Sequence, residues 1–268
     1  MSDHGAVRTT RLRIGGVLSR GIGIYLRNIV AFLILTFLAF LPGFLVEFAA
    51  ISVAPVTDLV NVILSLFMML LWILGWCWFS AGVTYGVIAD LRGHRASIGE
   101  VLGASMRPVL ALTLLTLLMS LVVVIFLSIP TLLPLSGLLL GPLAIALYIV
   151  LWVTVPAMVV ENLGPIAGLR RSLALTRGSF WRIFGIVVLW LAFILAVSFV
   201  VGLFTGATDL EGEHVGTSLS AGTSADWISN IVAFVMFGMG AAVSAVGYHD
   251  LRIAREGGDT EQIAKAFD

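Results

Sequence analysis

Charge is what this sequence has least of. Charged residues occupy 11% of its 268 positions, against roughly 25% in ordinary soluble domains. Hydrophobic residues occupy 60%, more apolar surface than a soluble fold of this length could hide. Cysteine occurs once, as Cys77 between Trp76 and Trp78. That excludes an intrachain disulfide and a cysteine-based metal site. No small-residue cleavage pattern closes the first apolar run, which starts near Ile29 behind five arginines, so it reads as a retained span rather than a signal peptide. The period-two alternation of a membrane β-barrel is also missing. Helices are then the default, because lipid offers no partners for backbone N–H and C=O groups.

What is present is sorted. Lys and Arg fall into four clusters: Arg8 to Arg27, Arg92 to Arg107, Arg170 to Arg182, and Arg252 to Lys265. Each interval between clusters is long enough for two crossings of about 20 residues each. Such spacing puts every basic residue on one side of a bilayer, as the positive-inside bias requires. The remaining segments carry only acids: Asp58, Asp209, Glu211, Glu213 and Asp226. The sequence therefore predicts an all-α polytopic membrane protein with six spans and both termini cytoplasmic, in a bacterial inner membrane. The spans are expected at 29–50, 60–89, two within 109–160, 183–204 and 227–248. Pro130, Pro134, Ser136 and Gly137 mark the turn inside the long run. Residues 206–226, rich in Gly, Ser and Thr, are expected as a flexible outer loop, with His214 a solvated surface residue. Residues 253–268 are expected as a cytoplasmic tail.

Three inner segments share a pattern. Ile14-Gly15-Gly16-Val17-Leu18, Ile98-Gly99-Glu100-Val101-Leu102 and Ile166-Ala167-Gly168-Leu169-Arg170 each place apolar residues at helical spacing before a span. Each predicts a short amphipathic helix in the membrane interface. Asp90-Leu91-Arg92 and Asp250-Leu251-Arg252 close two of the units, and Glu161 closes the other. The unit is helix–span–span, and three same-direction repeats are expected over 14–92, 98–162 and 166–252.

Ionisable groups are nearly absent within the spans. Glu47 is the only acid inside one, about 18 residues from the inner end, which puts it near the outer interface. Ion-coupled carriers usually hold acids or histidines at mid-depth. Trp72, Trp76 and Trp78 lie inside the second span and are expected to pack against neighbours. Gly238, Gly240, Ala241 and Ala242 form a small face suited to close helix contact. Pro42, Pro130 and Pro156 are expected to place kinks or ends. No nucleophile–base pair is visible, so no catalytic residue, metal site or cofactor is expected.

Two stretches are distinctive. Pro156-Ala157-Met158-Val159-Val160-Glu161-Asn162-Leu163-Gly164-Pro165 runs on through Arg170-Arg171-Ser172-Leu173-Ala174-Leu175-Thr176-Arg177-Gly178, and Tyr248-His249-Asp250-Leu251-Arg252-Ile253-Ala254-Arg255-Glu256-Gly257 ends the chain's last span. Together they resemble the membrane domain attached to some prokaryotic glycerophosphodiester phosphodiesterases, and related small stand-alone inner-membrane proteins. Gly258 stands where that family more often has an aromatic residue. The soluble catalytic barrel of those enzymes has no counterpart here. Gly93-His94-Arg95-Ala96-Ser97 is like its His-Arg-Gly motif only in passing: the glycine is missing and no Glu-Asn-Thr follows. The resemblance implies the accessory membrane part without the catalytic part.

Arg170, Arg171, Arg177 and Arg182 beside Glu161 form the candidate site, a lipid or phosphate-binding set. The planar arginine fork suits bidentate phosphate contact, and anionic lipid attracts basic clusters by about 1 kcal/mol per residue near the surface. The other reading of the same residues is topogenic charge with a Glu–Arg tie at a helix junction. The expected function is a non-catalytic, lipid-associated scaffold or accessory module in envelope lipid homeostasis. A transporter or flippase-like carrier for a lipid or glycerophosphodiester is the alternative. Membrane lipids with anionic head groups are the expected partners, with a protein partner or a homo-oligomer also open, and nucleic acid excluded.

Overall fold

The computed structural model describes residues 14–51, 58–132, 137–205 and 224–256. Ten helices account for them: α1 Ile14–Arg27, α2 Ile29–Ile51, α3 Asp58–Leu91, α4 Ile98–Met106, α5 Val109–Leu132, α6 Gly137–Leu151, α7 Thr154–Glu161, α8 Pro165–Thr176, α9 Phe180–Thr205 and α10 Ser224–Glu256. No strand occurs among the described residues. Five helices or helix pairs are long and apolar enough to cross a membrane: α2, α3, α6 with α7, α9 and α10. α4 and α5 add a sixth candidate if taken together, bent by 56° at their junction. This is the make-up of a multi-pass membrane protein. Most of the expected outer loop lies outside the described residues, but its positions 224–226 already belong to α10. The expected tail begins as helix too, since α10 runs to Glu256. His4, His214, Arg8, Arg11, Arg13, Pro134, Ser136 and Lys265 lie outside the described residues.

α3 and α10 exceed the expected spans at both ends. At about 1.5 Å per residue, the 34 residues of α3 reach about 50 Å, well past an apolar slab of roughly 30 Å. The surplus at one end carries Asp90 or Asp250, beside the short helices α1, α4 and α8. Those three helices turn one face inward with the same spacing. Val17, Gly21, Ile24 and Tyr25 are buried on α1; Val101 and Ser105 on α4, followed by Pro108 and Val109; and Gly168, Ser172, Leu175 and Thr176 on α8. The i, i+4, i+7, i+8 rhythm is one helical face. On α8 this face falls one residue earlier than the shared sequence pattern suggests. Gly168, not Leu169, matches Val17 and Val101, and Ile166 faces outward, 65% exposed.

Packing follows a cyclic order. α3 packs on α4, α6 and α7 pack on α8, and α10 packs on α1. α3, α7 and α10 also touch one another, forming the centre. Small residues allow the close approaches: a Cβ on Gly21 of α1 would lie 2.8 Å from the Cα of Val243 on α10, and one on Gly168 of α8 would lie 2.3 Å from Met158 on α7. Between α4 and α3 the joint is polar, the Trp78 indole N–H donating to Ser105 Oγ at 2.8 Å.

The core gathers in the half of the bundle nearest the short helices. Phe32, Leu35, Phe79, Val83, Val87, Ile149, Ile183, Ile186, Ala242 and Val246 are all buried there. The tryptophans of α3 pack as their sequence position suggests. Trp72 lies against Phe40, Phe44 and Phe234, and Trp76 meets Phe237 edge-on. Gly238 and Gly240 lie against Tyr25 and Trp190, so the small face on α10 is a packing face. In the remote half the apolar side chains stay exposed, as with Leu59, Val60, Val62, Ile63, Leu66 and Phe67 along one broad face of α3. Glu47 lies in the last turns of α2, within that remote half.

The long apolar run splits where Trp152 and Val153 separate α6 from α7. Pro156 has no N–H for the Trp152 carbonyl, which a continuous helix would need. Ser244 of α10 donates to that carbonyl instead, at 2.7 Å. Ser172 of α8 donates to the Val150 carbonyl, also at 2.7 Å. Pro42 lies inside α2, and α5 runs two residues beyond Pro130.

Candidate functional site

The turn joining α7 to α8 is written in its residues. Asn162 takes the left-handed conformation (φ 51°) that ends α7, and the Leu163 N–H closes back on the Met158 carbonyl at 3.1 Å. Pro165 then opens α8, where its missing N–H costs nothing. This hairpin brings Glu161 and Arg171 together: Arg171 Nε donates to Glu161 Oε1 at 2.8 Å. The last turns of α10 complete the group. Tyr248 Oη donates to Glu161 Oε1 at 2.6 Å, Arg171 Nη2 also pairs with Glu256, and Arg252 Nε donates to Glu256 Oε2 at 2.8 Å. Burial works against the charge on Arg171, but its bonds to Glu256 and Glu161 outweigh that and raise its pKa.

The candidate set therefore divides. Glu161 and Arg171 join in a tie that pins α7, α8 and α10 to one another. Arg170, Arg177 and Arg182 lie outside that tie and make no ion pair among the described residues. Glu256, Arg252 and Tyr248 were not among the sequence's candidates. The stretch containing all three is distinctive in sequence, and Arg252 and Glu256 show i, i+4 spacing. Their link to Arg171, 85 positions from Glu256, has no local signal.

The other unit exits are tied in the same manner. Asp250 pairs with Arg20 of α1, and Asp90 lies 4.0 Å from Arg27 of the same helix. Ser97 caps α4 in a reciprocal box with Glu100, whose carboxylate also lies 3.5 Å from His94. The Gly93 to Ser97 segment is thus a turn (Gly93 φ +80°) leading into a cap. Each of the acids Asp90, Glu100, Glu161, Asp250 and Glu256 has a partner. Arg92, Arg95, Arg107, Arg170, Arg177, Arg182 and Arg255 have no ion-pair partner among the described residues. Among the described residues, the end of the bundle holding the short helices thus carries a surplus of arginine without ion pairs.

Chemically, the unpaired guanidinium groups at this end can bind anions. Among the described residues, no three His, Cys, Asp or Glu side chains are grouped to hold a metal. Cys77 is buried and lies 3.5 Å from Thr116 Oγ1. Comparison of the chain with family models, curated proteins and solved structures finds no match.

Proposed function

We propose that this chain is a non-catalytic module of a bacterial inner membrane that holds anionic lipids against its arginine-bearing, cytoplasmic end. The observation carrying this reading is the imbalance at that end, where, among the described residues, the acids are tied into helix junctions while seven arginines make no ion pair. The negative surface of the cytoplasmic leaflet attracts such residues. The two sequence stretches that resemble the membrane domain of glycerophosphodiester phosphodiesterases support a role in envelope lipid homeostasis. The cyclic packing of α1, α4 and α8 on α10, α3 and α7 supports three helix–span–span repeats about an axis near the membrane normal.

One observation favours the alternative, a flippase-like carrier: the apolar remote halves, with a broad exposed face on α3. A scrambling assay in vesicles separates the two. With the purified protein reconstituted, the module reading expects fluorescent phospholipid to cross leaflets no faster than in empty vesicles, while lipids co-purifying in mild detergent are enriched in anionic head groups over the bulk membrane. Accelerated crossing would favour the carrier. Co-purified lipid matching the bulk mixture would contradict lipid selection altogether.

A further inference from the structure

We infer that Arg177, Arg182 and Arg255, gathered at the α8–α9 turn beside Trp181, form one specific site for a phosphate-bearing lipid head group; this rests on the lipid-associated reading above and locates its site. The turn brings together residues far apart in sequence. Gly178 adopts φ +84°, a conformation that L side chains rarely accept, in the turn between α8 and α9. Arg177 and Arg182 flank that turn. Arg255, from the last turn of α10, reaches it as well: its Nη2 lies 3.6 Å from where a Gly178 Cβ would stand. None of the three makes an ion pair among the described residues. The nearby carboxylates Glu161 and Glu256 are already engaged by Arg171 and Arg252. Their positive charge is therefore left for an outside anion.

Trp181 identifies the kind of anion. It is 77% exposed, braced edge-on between Phe180 and Phe184 with ring centroids at 5.7 and 5.8 Å. An exposed indole held rigidly at the end of a span suits the glycerol and headgroup layer of a bilayer. Guanidinium groups at the same depth match the phosphates of that layer. A free phosphate ion would use the arginines and leave Trp181 without a role, so the occupant is a phospholipid, an anionic one such as phosphatidylglycerol.

The test is native mass spectrometry of the full chain in detergent, titrated with phosphatidylglycerol or phosphatidylcholine. The triple variant R177Q/R182Q/R255Q should retain the first phosphatidylglycerol at least about tenfold more weakly than wild type. R92Q/R95Q/R107Q, which removes the same charge elsewhere, should behave as wild type. W181A should weaken retention too, and inorganic phosphate should not displace the lipid. Unchanged thermal unfolding in both triples shows that the fold survives; if R177Q/R182Q/R255Q unfolds early, the single variant R255Q serves instead. Equal loss in the two triples, or none in either, overturns the site while leaving lipid association standing. Displacement by inorganic phosphate overturns the lipid as occupant. If wild type shows no preference for phosphatidylglycerol over phosphatidylcholine, the underlying reading fails and the site falls with it.

Discussion

Gly21 and Gly23 lie two positions apart on α1 and should respond oppositely to the same substitution. Nothing lies within 4 Å of a Cβ on Gly23, whereas one on Gly21 meets the backbone of Val243 at 2.8 Å. Gly23→Ala should therefore gain up to about 1 kcal/mol from helix propensity. Gly21→Ala must push α1 off α10 and should lose about 1–3 kcal/mol. Thermal unfolding midpoints in one detergent measure both, and equal shifts would mean that α1 is not seated on α10 as described. At this scale the sequence was legible in part. The small face on α10 and the inward tryptophans of α3 were readable because each follows from position along a span. The role of Arg171 was open, because its nearer partner suits either a phosphate site or a junction tie. The second partner, Glu256, arrives only through tertiary packing.

Among the elements, the α6–α7 break is the one that sequence periodicity hides. The run from 109 to 160 is apolar throughout, so composition gives no boundary at Leu151, and only Pro156 signals one. The expected turn at Pro130 to Gly137, whose residues 133–136 lie outside the described ones, and the break near Leu151 are different events: the break redirects carbonyls to α8 and α10. Replacing Ser244 by Ala should leave the Trp152 carbonyl buried without its donor and lower stability by about 1–3 kcal/mol. Pro156→Ala supplies a backbone N–H four residues after Trp152, so the double variant should recover part of that loss. Additive losses from the two substitutions, measured by thermal unfolding, would mean that the proline and the serine serve unrelated ends. The register of α8 was missed by one residue because Ile166 resembles Ile14 and Ile98 in type. Which side chain turns inward is set by the glycine that can approach Met158.

For the whole molecule, the arginine clusters carried most of what could be read. They bound the apolar runs, and the described helices lie where those runs predict, with α3 and α10 longer than a span needs. The cyclic packing of the short helices on the central three could not be read from any one segment, since it depends on α10 closing on α1. The account as a whole stands on every arginine facing the cytoplasmic leaflet, because only there do unpaired arginines meet an anionic surface with this topology. Alkaline phosphatase, active only outside the cytoplasm, tests that directly when fused within residues 206–223 and, separately, after Asp268. The account predicts activity from the first fusion and silence from the second. Silence from the first and activity from the second would contradict it.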